Sequence, residues 1–209
     1  MIQVMNPFET CSDETLLQRA LAGSEEAFTR LYQRLRGVVY RFARQMSGSA
    51  GLAEDVTQDV FLILLRKAEL FDPQRGALST YLIQITRNEL LRRLGRDQAY
   101  VFLDEEAQAE TAPPDESLIV RSDPLGNLVR NEEIETVRQA VLALPLHYRE
   151  VVVLCELEEL SYTEAAALLG CAIGTVRSRL HRARVLLKQR LKENTEPDAL
   201  RVNRAACLR

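Results

Sequence analysis

The sequence predicts an all-α protein in which two small helical domains are joined by an acidic, flexible linker. The composition favours helices, because leucine, alanine, arginine and glutamate are abundant while the 209 residues include only 9 glycines. Apolar residues recur at helical spacing through the first half and the last third of the chain. Acids and prolines interrupt that spacing in between. We therefore expect domains over 1–99 and 131–195, a linker over 100–130 and a tail over 196–209.

A serine precedes each of the first two predicted helices. Ser12 offers an N-cap to a helix that stops at Gly23, because a serine hydroxyl can accept from the free amides of a first turn. Ser24, followed by two glutamates, begins a longer helix in the same way, and acids are favourable there. The inward stripe of this longer helix has clear helical spacing and consists of Phe28, Leu31, Tyr32, Leu35, Val39 and Phe42.

Two more helices are predicted in the first domain. A turn over 47–51 precedes a third helix over about 52–70. Proline and glycine in 71–76 end it, and a fourth helix follows over about 79–94. The fourth helix ends in arginines, which are favourable at a helix C-terminus. These helices together predict a small N-terminal bundle.

The third helix has an unusual outward face. Its Val56, Val60 and Ile63 share the inward face, whereas acids, an amide and an apolar side chain share the other. Such a mixed face suits the docking of a partner, but a charged helix face is often only solvated. Spacing alone leaves these two interpretations equally open. The outward residues are Asp55, Gln58, Asp59 and Leu62.

The C-terminal domain is predicted to contain four helices, of which the last two form a helix-turn-helix. Helices over about 131–144 and 146–157 supply packing surface, the first of them marked by Ile134, Val137 and Val141. Ser161 and Glu164 then form the S-x-x-E pair of a capping box, and Gly170 closes that short helix. The last helix begins at about Ile173, and its buried stripe is Val176, Leu180, Ala183 and Leu187.

The last helix has a cationic outer side. Its outward positions are Arg177, Ser178, His181 and Arg182, and no acid occurs between Glu164 and Glu193. A short capped helix followed by a basic amphipathic one is what docking in the DNA major groove requires. A solvated basic helix on a bundle is the alternative. The basic residues of the segment are Arg177, Arg179, Arg182, Arg184, Lys188, Arg190 and Lys192.

Composition and motifs argue against several other classes of protein. The first ten residues lack the basic start and apolar core of a signal peptide, and no uncharged apolar run approaches the roughly 20 residues that span a bilayer. The four cysteines form no C-x-x-C pair, which suits a reducing cytosol and argues against zinc. We expect no metal, no cofactor and no catalytic site, since no catalytic grouping or G-x-x-x-x-G-K loop occurs. The tail over 196–209 and its Cys207 receive no role.

Three stretches in order resemble one family. They are AEDVTQDVFL at 53–62, FDPQRGALSTYLIQITRNELLRR at 71–93, and LPLHYREVVVL at 144–154 followed by the helix-turn-helix. Together they resemble the extracytoplasmic-function branch of the bacterial sigma-70 superfamily, the promoter-specificity subunits of RNA polymerase. The resemblance runs from about Asp13 to Leu191 and includes the acidic linker.

The resemblance implies a role for each stretch. It assigns four residues of the third helix either to contact with the clamp of the polymerase largest subunit or to the packing that presents the contact surface. They are Asp55, Gln58, Asp59 and Phe61. Residues that fall where the family engages the unpaired minus-ten strand are Tyr81, Arg87, Asn88 and Arg92. Many relatives have tryptophan at the position of Tyr81. The tyrosine ring still offers an aromatic face on which a base can stack, but a smaller one. Residues that fall where the family contacts the minus-thirty-five duplex are Thr175, Arg177, Ser178, Arg179, His181 and Arg182.

The resemblance also implies partners. They are core RNA polymerase, at its clamp and flap regions, promoter DNA, and an anti-sigma factor. The chain would be a cytosolic monomer when free and not membrane-embedded. A free-standing regulator with a helical sensor domain is the alternative, and such a regulator would bind DNA unaided, usually as a dimer on a palindrome. Pull-down with core polymerase distinguishes the two.

Overall fold

The computed structural model describes residues 11–94 and 126–195, with side chains from 134 to 192 in the second range. All regular structure in these two ranges is helical, which confirms the predicted fold class. The chain divides into two compact units, Met1–Val101 and Phe102–Arg209. The first contains α1 Asp13–Leu21, α2 Glu25–Ser47, α3 Ala50–Arg66 and α4 Leu78–Arg93. The second contains α5 Gly126–Leu142, α6 Leu146–Val152, α7 Tyr162–Leu169 and α8 Ile173–Thr195.

Serine side chains cap the first three helices. The Ser12 hydroxyl accepts from the Thr15 amide at 3.3 Å, and Ser24 caps α2 in the same way. Both caps were predicted. The third helix begins at Ala50, two residues before the predicted start, because Gly48 ends α2 in the left-handed region at φ 74° and Ser49 immediately caps α3. The connection is therefore shorter than the turn predicted over 47–51.

Helix α2 lies at the centre of the N-terminal unit and packs against α1, α3 and α4. Its stripe was correctly predicted in direction, and Leu31, Val39 and Phe42 are fully buried. Phe28 and Tyr32 of that stripe are only half-buried. Their rings pack against Phe61 of α3, with centroids 6.4 and 4.8 Å away, and so form an aromatic edge between the two helices.

Helix α3 ends at Arg66, and a short 3₁₀ turn, Ala68–Leu70, follows it. The helix predicted to continue to Leu70 therefore stops four residues early. The side chain of Leu70 is 63% exposed, so no burial favours a further α turn. In α4 the buried apolar residues are Leu78, Leu82, Ile83 and Leu90.

In the C-terminal unit, α5 begins at Gly126, inside the segment predicted as linker over 100–130. The rest of that segment and the tail with Cys207 lie outside the described residues. Val141 of α5 is 5% exposed and belongs to the core, whereas Ile134 and Val137, which with it marked the predicted helix, are 51% and 46% exposed. The guanidinium of Arg149 in α6 donates to the carbonyl oxygens of Leu142 and Leu144, and so ties the end of α5 to α6.

The predicted helix-turn-helix is present. Ser161 accepts from the Glu164 amide at 3.2 Å and Glu164 accepts from the Ser161 amide at 2.9 Å, which forms the predicted capping box. Gly170 ends α7 in the left-handed region at φ 65°. Upstream, α6 passes into a π turn, Val153–Leu157, which was not predicted. The buried stripe of α8 is Val176, Leu180 and Ala183, with Leu187 half-buried.

No helix in the two described ranges is long and apolar enough to cross a membrane. Within those same ranges, no three His, Cys, Asp or Glu side chains come together in a group that could hold a metal ion.

Candidate functional site

The outward face of α3 is open to a partner. Asp55 and Gln58 are exposed, and Leu62, one turn further along the same side, is 49% exposed. Phe61, which was assigned either to the polymerase contact or to the packing behind it, is 2% exposed and lies against Tyr32. Phe61 therefore supports this face from inside and cannot touch a partner. We call Asp55, Gln58 and Leu62 the α3 face.

Asp59, the fourth residue assigned to that surface, has a partner within the chain. Its carboxylate forms an ion pair with the guanidinium of Arg93 at the end of α4. The same guanidinium donates through Nε to Glu89 at 2.8 Å. The side chain of Asp59 is 42% exposed, so it lies at the border of the α3 face, but its carboxylate is already engaged by Arg93. The ion pair joins α3 to α4.

Glu89 is the buried centre of this network. Its side chain is 9% exposed and accepts from Arg92 at 2.5 and 3.0 Å, besides Arg93. The hydrogen bond from Arg92, followed by that from Arg93, lowers the pKa of Glu89 although burial acts in the opposite direction. Sequence reasoning missed Glu89 and Arg93. The signal was an acid followed at i+3 and i+4 by arginines, a spacing that brings the charges together on a helix.

Tyr81 and Phe71 form an aromatic pair beside the loop that connects α3 to α4. Their ring centroids are 5.5 Å apart, and the Tyr81 hydroxyl donates to the carbonyl oxygen of Lys67 at 3.4 Å. Burial, and secondarily the charge of Glu69, raises the pKa of Tyr81, so its phenol is neutral. Tyr81 is therefore a half-buried ring that is held beside the loop by contacts at both its ring and its hydroxyl.

The other residues assigned to the minus-ten strand divide between two sides of α4. At about 100° per residue, Asn88 and Arg92 lie on the same side as Tyr81, whereas Arg87 lies about a quarter-turn or more away from all three. Asn88 is exposed and Arg87 is half-buried. Arg92 is 66% exposed although Glu89 holds it. Tyr81, Asn88 and Arg92 thus form one open row.

Four of the six residues assigned to the minus-thirty-five duplex are exposed on α8. They are Arg177, Ser178, His181 and Arg182, as the sequence predicted for the outward side. Thr175 and Arg179 are half-buried. Burial, and then the nearby charge of Arg179, lower the pKa of His147 in α6. The four exposed side chains are the ones that are most open to a partner.

Arg184 has a structural partner. Its guanidinium forms an ion pair with Glu156, and so links the middle of α8 to the π turn that continues α6. Both side chains are about half exposed, so the pair contributes little to stability. Its consequence is for charge, because Glu156 offsets one of the cations on α8.

Comparison with known proteins matches each unit separately. The family model for sigma-70 region 2 matches residues 31–100, and that for sigma-70 region 4 matches residues 134–187. Among curated proteins, the chain is 34% identical over 164 residues to the ECF RNA polymerase sigma factor SigE of Mycolicibacterium smegmatis, with 77% of this chain and 60% of that protein covered. It is 30% identical over 179 residues to the ECF RNA polymerase sigma factor SigW of Bacillus subtilis, with 85% of this chain and 95% of that protein covered.

A solved structure is similar too. The sigma factor RpoE of Bartonella quintana, crystallised in complex with the anti-sigma factor NepR, is 27% identical, with a TM-score of 0.57. The match covers 79% of this chain and 96% of that one. The two family regions occur in the order that the motifs predicted, and the relatives match over most of the chain. The chain therefore belongs to the ECF sigma factors of the sigma-70 family.

Proposed function

We propose that this sigma factor directs core RNA polymerase to a specific set of promoters and helps to separate the DNA strands there. One observation carries the proposal: the α3 face and the cationic side of α8 occur in separate units that match the two sigma regions in order. The domain limits predicted from the sequence, 1–99 and 131–195, stay proposals, and because α5 begins at Gly126 the second unit is best tested from there.

The α3 face is proposed to bind the clamp of the polymerase largest subunit. Asp55 and Gln58 are exposed, so the Asp55 carboxylate can accept and the Gln58 amide can accept or donate across an interface, and Leu62 supplies apolar area one turn further along α3. Asp59 contributes at the border, where Arg93 fixes its carboxylate. The second unit is proposed to contact the flap region.

Strand separation is proposed to depend on the open row of α4. Unpaired bases can stack on an aromatic face, and Tyr81 offers one beside the loop. Asn88 can donate and accept at a base edge, while Arg92 can attract the backbone. Differential binding of the open state supplies the free energy, so the chain needs no nucleotide hydrolysis and acts as a specificity subunit without being an enzyme.

Helix α8 is proposed to read the minus-thirty-five element from the major groove. Arg177 and Arg182 are the candidates for bidentate contacts with guanine, each worth about 1–3 kcal/mol of discrimination. Ser178 and His181 stand between them on the exposed side. The chain would act in the bacterial cytosol, as a monomer when free, and an anti-sigma factor would mask it.

Reconstituted holoenzyme tests the proposal. The purified chain is combined with core polymerase, and transcription from a library of promoter templates is measured. Core polymerase alone and the chain alone are the controls. We expect initiation at a restricted set of promoters in the holoenzyme, and weak, strongly salt-dependent DNA binding by the chain alone. Tight, sequence-specific binding by the chain without polymerase would instead identify a free-standing regulator.

A further inference from the structure

The outward face of α2 carries arginines that none of the surfaces above uses. Residues 27–53 contain five arginines and no acid, and the one longer acid-free run in the chain is 165–192, which includes most of α8. At about 100° per residue, four of these arginines lie within a quarter of the circumference of α2. We call them the arginine row: Arg30, Arg34, Arg41 and Arg44.

In the described part of the chain, an acid pairs with Arg34 of the arginine row but none pairs with the two arginines at its ends. Arg34 donates to the Asp13 carboxylate at 3.2 Å and to the Cys11 carbonyl oxygen at 2.7 Å. At the two ends of the row, Arg30 and Arg44 take part in no ion pair with the described part of the chain. The Nη1 atom of Arg44 is buried without a hydrogen-bond partner there. Like charges three or four residues apart destabilise a helix, and an anion at this face would relieve that repulsion.

A glycine lies in the middle of the row. Gly37 is an interior residue of a 23-residue helix, where glycine weakens helical structure. A Cβ atom at this position would meet only the Nη1 atom of Arg41, at 3.3 Å, and no side chain of a neighbouring helix. Packing within the unit therefore does not explain the glycine. It leaves a shallow place in the row, across which the Arg41 guanidinium lies.

We propose that the arginine row binds the phosphate backbone of promoter DNA, as a contact additional to those of α4 and α8. Planar guanidinium groups match phosphate oxygens, and a helix face without a protruding side chain at Gly37 lets a backbone approach closely. The row extends about 21 Å along the helix axis, which corresponds to the rise of about six nucleotides.

The position of the row on α2 is compatible with polymerase binding. Tyr32, which packs against Phe61 of α3, lies on the side of α2 opposite to the row. The α3 face and the row can therefore be occupied together. This inference rests on the proposed function, because promoter DNA must be within reach of the N-terminal unit. It adds a contact that strengthens binding to all promoters alike, since phosphates carry no base sequence.

The salt dependence of promoter affinity tests the row in reconstituted holoenzyme. The variant is Arg30→Gln with Arg41→Gln, and the matched control is Arg36→Gln. Arg36 belongs to the same helix, but it lies over the Tyr32 ring, away from the arginine row. We expect the slope of log affinity against log salt to fall by about 0.9 for each phosphate that the variant no longer neutralises, equally on different promoters. The control should keep the wild-type slope.

Gly37→Gln separates DNA contact from folding. Glutamine is a better helix former than glycine, and the flexible end of Arg41 can move aside, so the midpoint of thermal unfolding should rise. Promoter affinity should nevertheless fall, because the new side chain occupies the shallow place. A merely structural role for Gly37 would not raise stability while weakening binding.

Two results would overturn the inference. One is an unchanged salt slope and affinity in the double variant, and the other is a loss of core polymerase association with the slope unchanged, which would assign the row to a protein partner. If wild-type holoenzyme itself initiates at no promoter, it is the proposed function that fails. Variants that differ from an active wild type bear on the row alone.

Discussion

The carboxylate of Asp59 on α3 is held by the guanidinium of Arg93 on α4, so a residue of the proposed polymerase surface is joined to the helix proposed to bind the melted strand. Arg93 is only 23% exposed and also donates to Glu89. The pair gives Asp59 one preferred orientation. It also means that a substitution at Asp59 changes both the surface and the contact between two helices, whereas Asp55 forms no ion pair in the described ranges of the chain.

Asp55→Ala should therefore be the cleaner test of the α3 face. Because Asp55 is exposed, we expect its loss to weaken association with core polymerase about tenfold, or about 1.4 kcal/mol, with thermal unfolding unchanged. Asp59→Ala should weaken association and also lower the unfolding midpoint. A competition assay measures the affinity, and Glu26→Ala, exposed at the start of α2, is the control. Wild-type affinity of Asp55→Ala would remove this residue from the interface.

Glu89 should make the N-terminal unit sensitive to acid. Its folded-state pKa is lowered by the bonds from Arg92 and Arg93, so its stabilising contribution is complete above the ordinary value of 4.5 and is lost as the pH falls through the lowered value. Glu89→Gln should flatten the loss of unfolding free energy between about pH 5 and about pH 3. Urea unfolding at several pH values measures it. An acid dependence identical to wild type would show that other carboxylates dominate.

Tyr81 should act through its ring and not through its hydroxyl. Tyr81→Ala should make the free energy of open-complex formation less favourable by about 1–3 kcal/mol, which is the contribution of one base stacked on an aromatic ring. Tyr81→Phe should remain near wild type, since the hydroxyl faces the Lys67 carbonyl, and Tyr81→Trp should equal or exceed it. Fluorescence of 2-aminopurine in the non-template strand follows strand opening. If Tyr81→Phe is as impaired as Tyr81→Ala, stacking is not the role of this residue.

Arg182 and Arg184 should differ although they are two residues apart on α8. A base-contacting Arg182 should cost about 1–3 kcal/mol when changed to alanine and should relax selectivity at one base pair. Arg184 is engaged by Glu156, so Arg184→Ala should have a smaller effect, spread evenly over sequences. Transcription from a promoter library compares the two. Equal and unselective losses would mean that Arg182 contacts phosphate.

Periodicity and capping predicted most of the fold. The predicted helix caps are present, because a cap depends on local geometry that neighbouring residues encode. They are Ser12, Ser24, the capping box of Ser161 and Glu164, and Gly170. Helix ends were less predictable. The third helix stops early because the residues after Leu64 are no longer buried, Leu70 being 63% exposed, and burial depends on contacts far away in the sequence.

The candidate site was predictable in outline but not in its partners. Outward positions on α8 followed from the buried stripe, since one face of a helix determines the other. Phe61 was found in the core because the aromatic edge from α2 covers it, which no spacing within α3 reveals. The pairing of Asp59 with Arg93 spans 34 positions and needed the packing of α3 against α4.

The π turn at Val153–Leu157 has a consequence for which changes in length the C-terminal unit can tolerate. A π turn holds one residue more than an α turn, so loss of one residue there would leave an ordinary α-helix leading to the same Ser161 cap. Loss of one residue within α8 would instead rotate everything beyond it by about 100° and turn cations toward the core. Single-residue deletions should therefore be tolerated in the π turn and not in α8. Differences of one residue in length between relatives should likewise occur in the π turn.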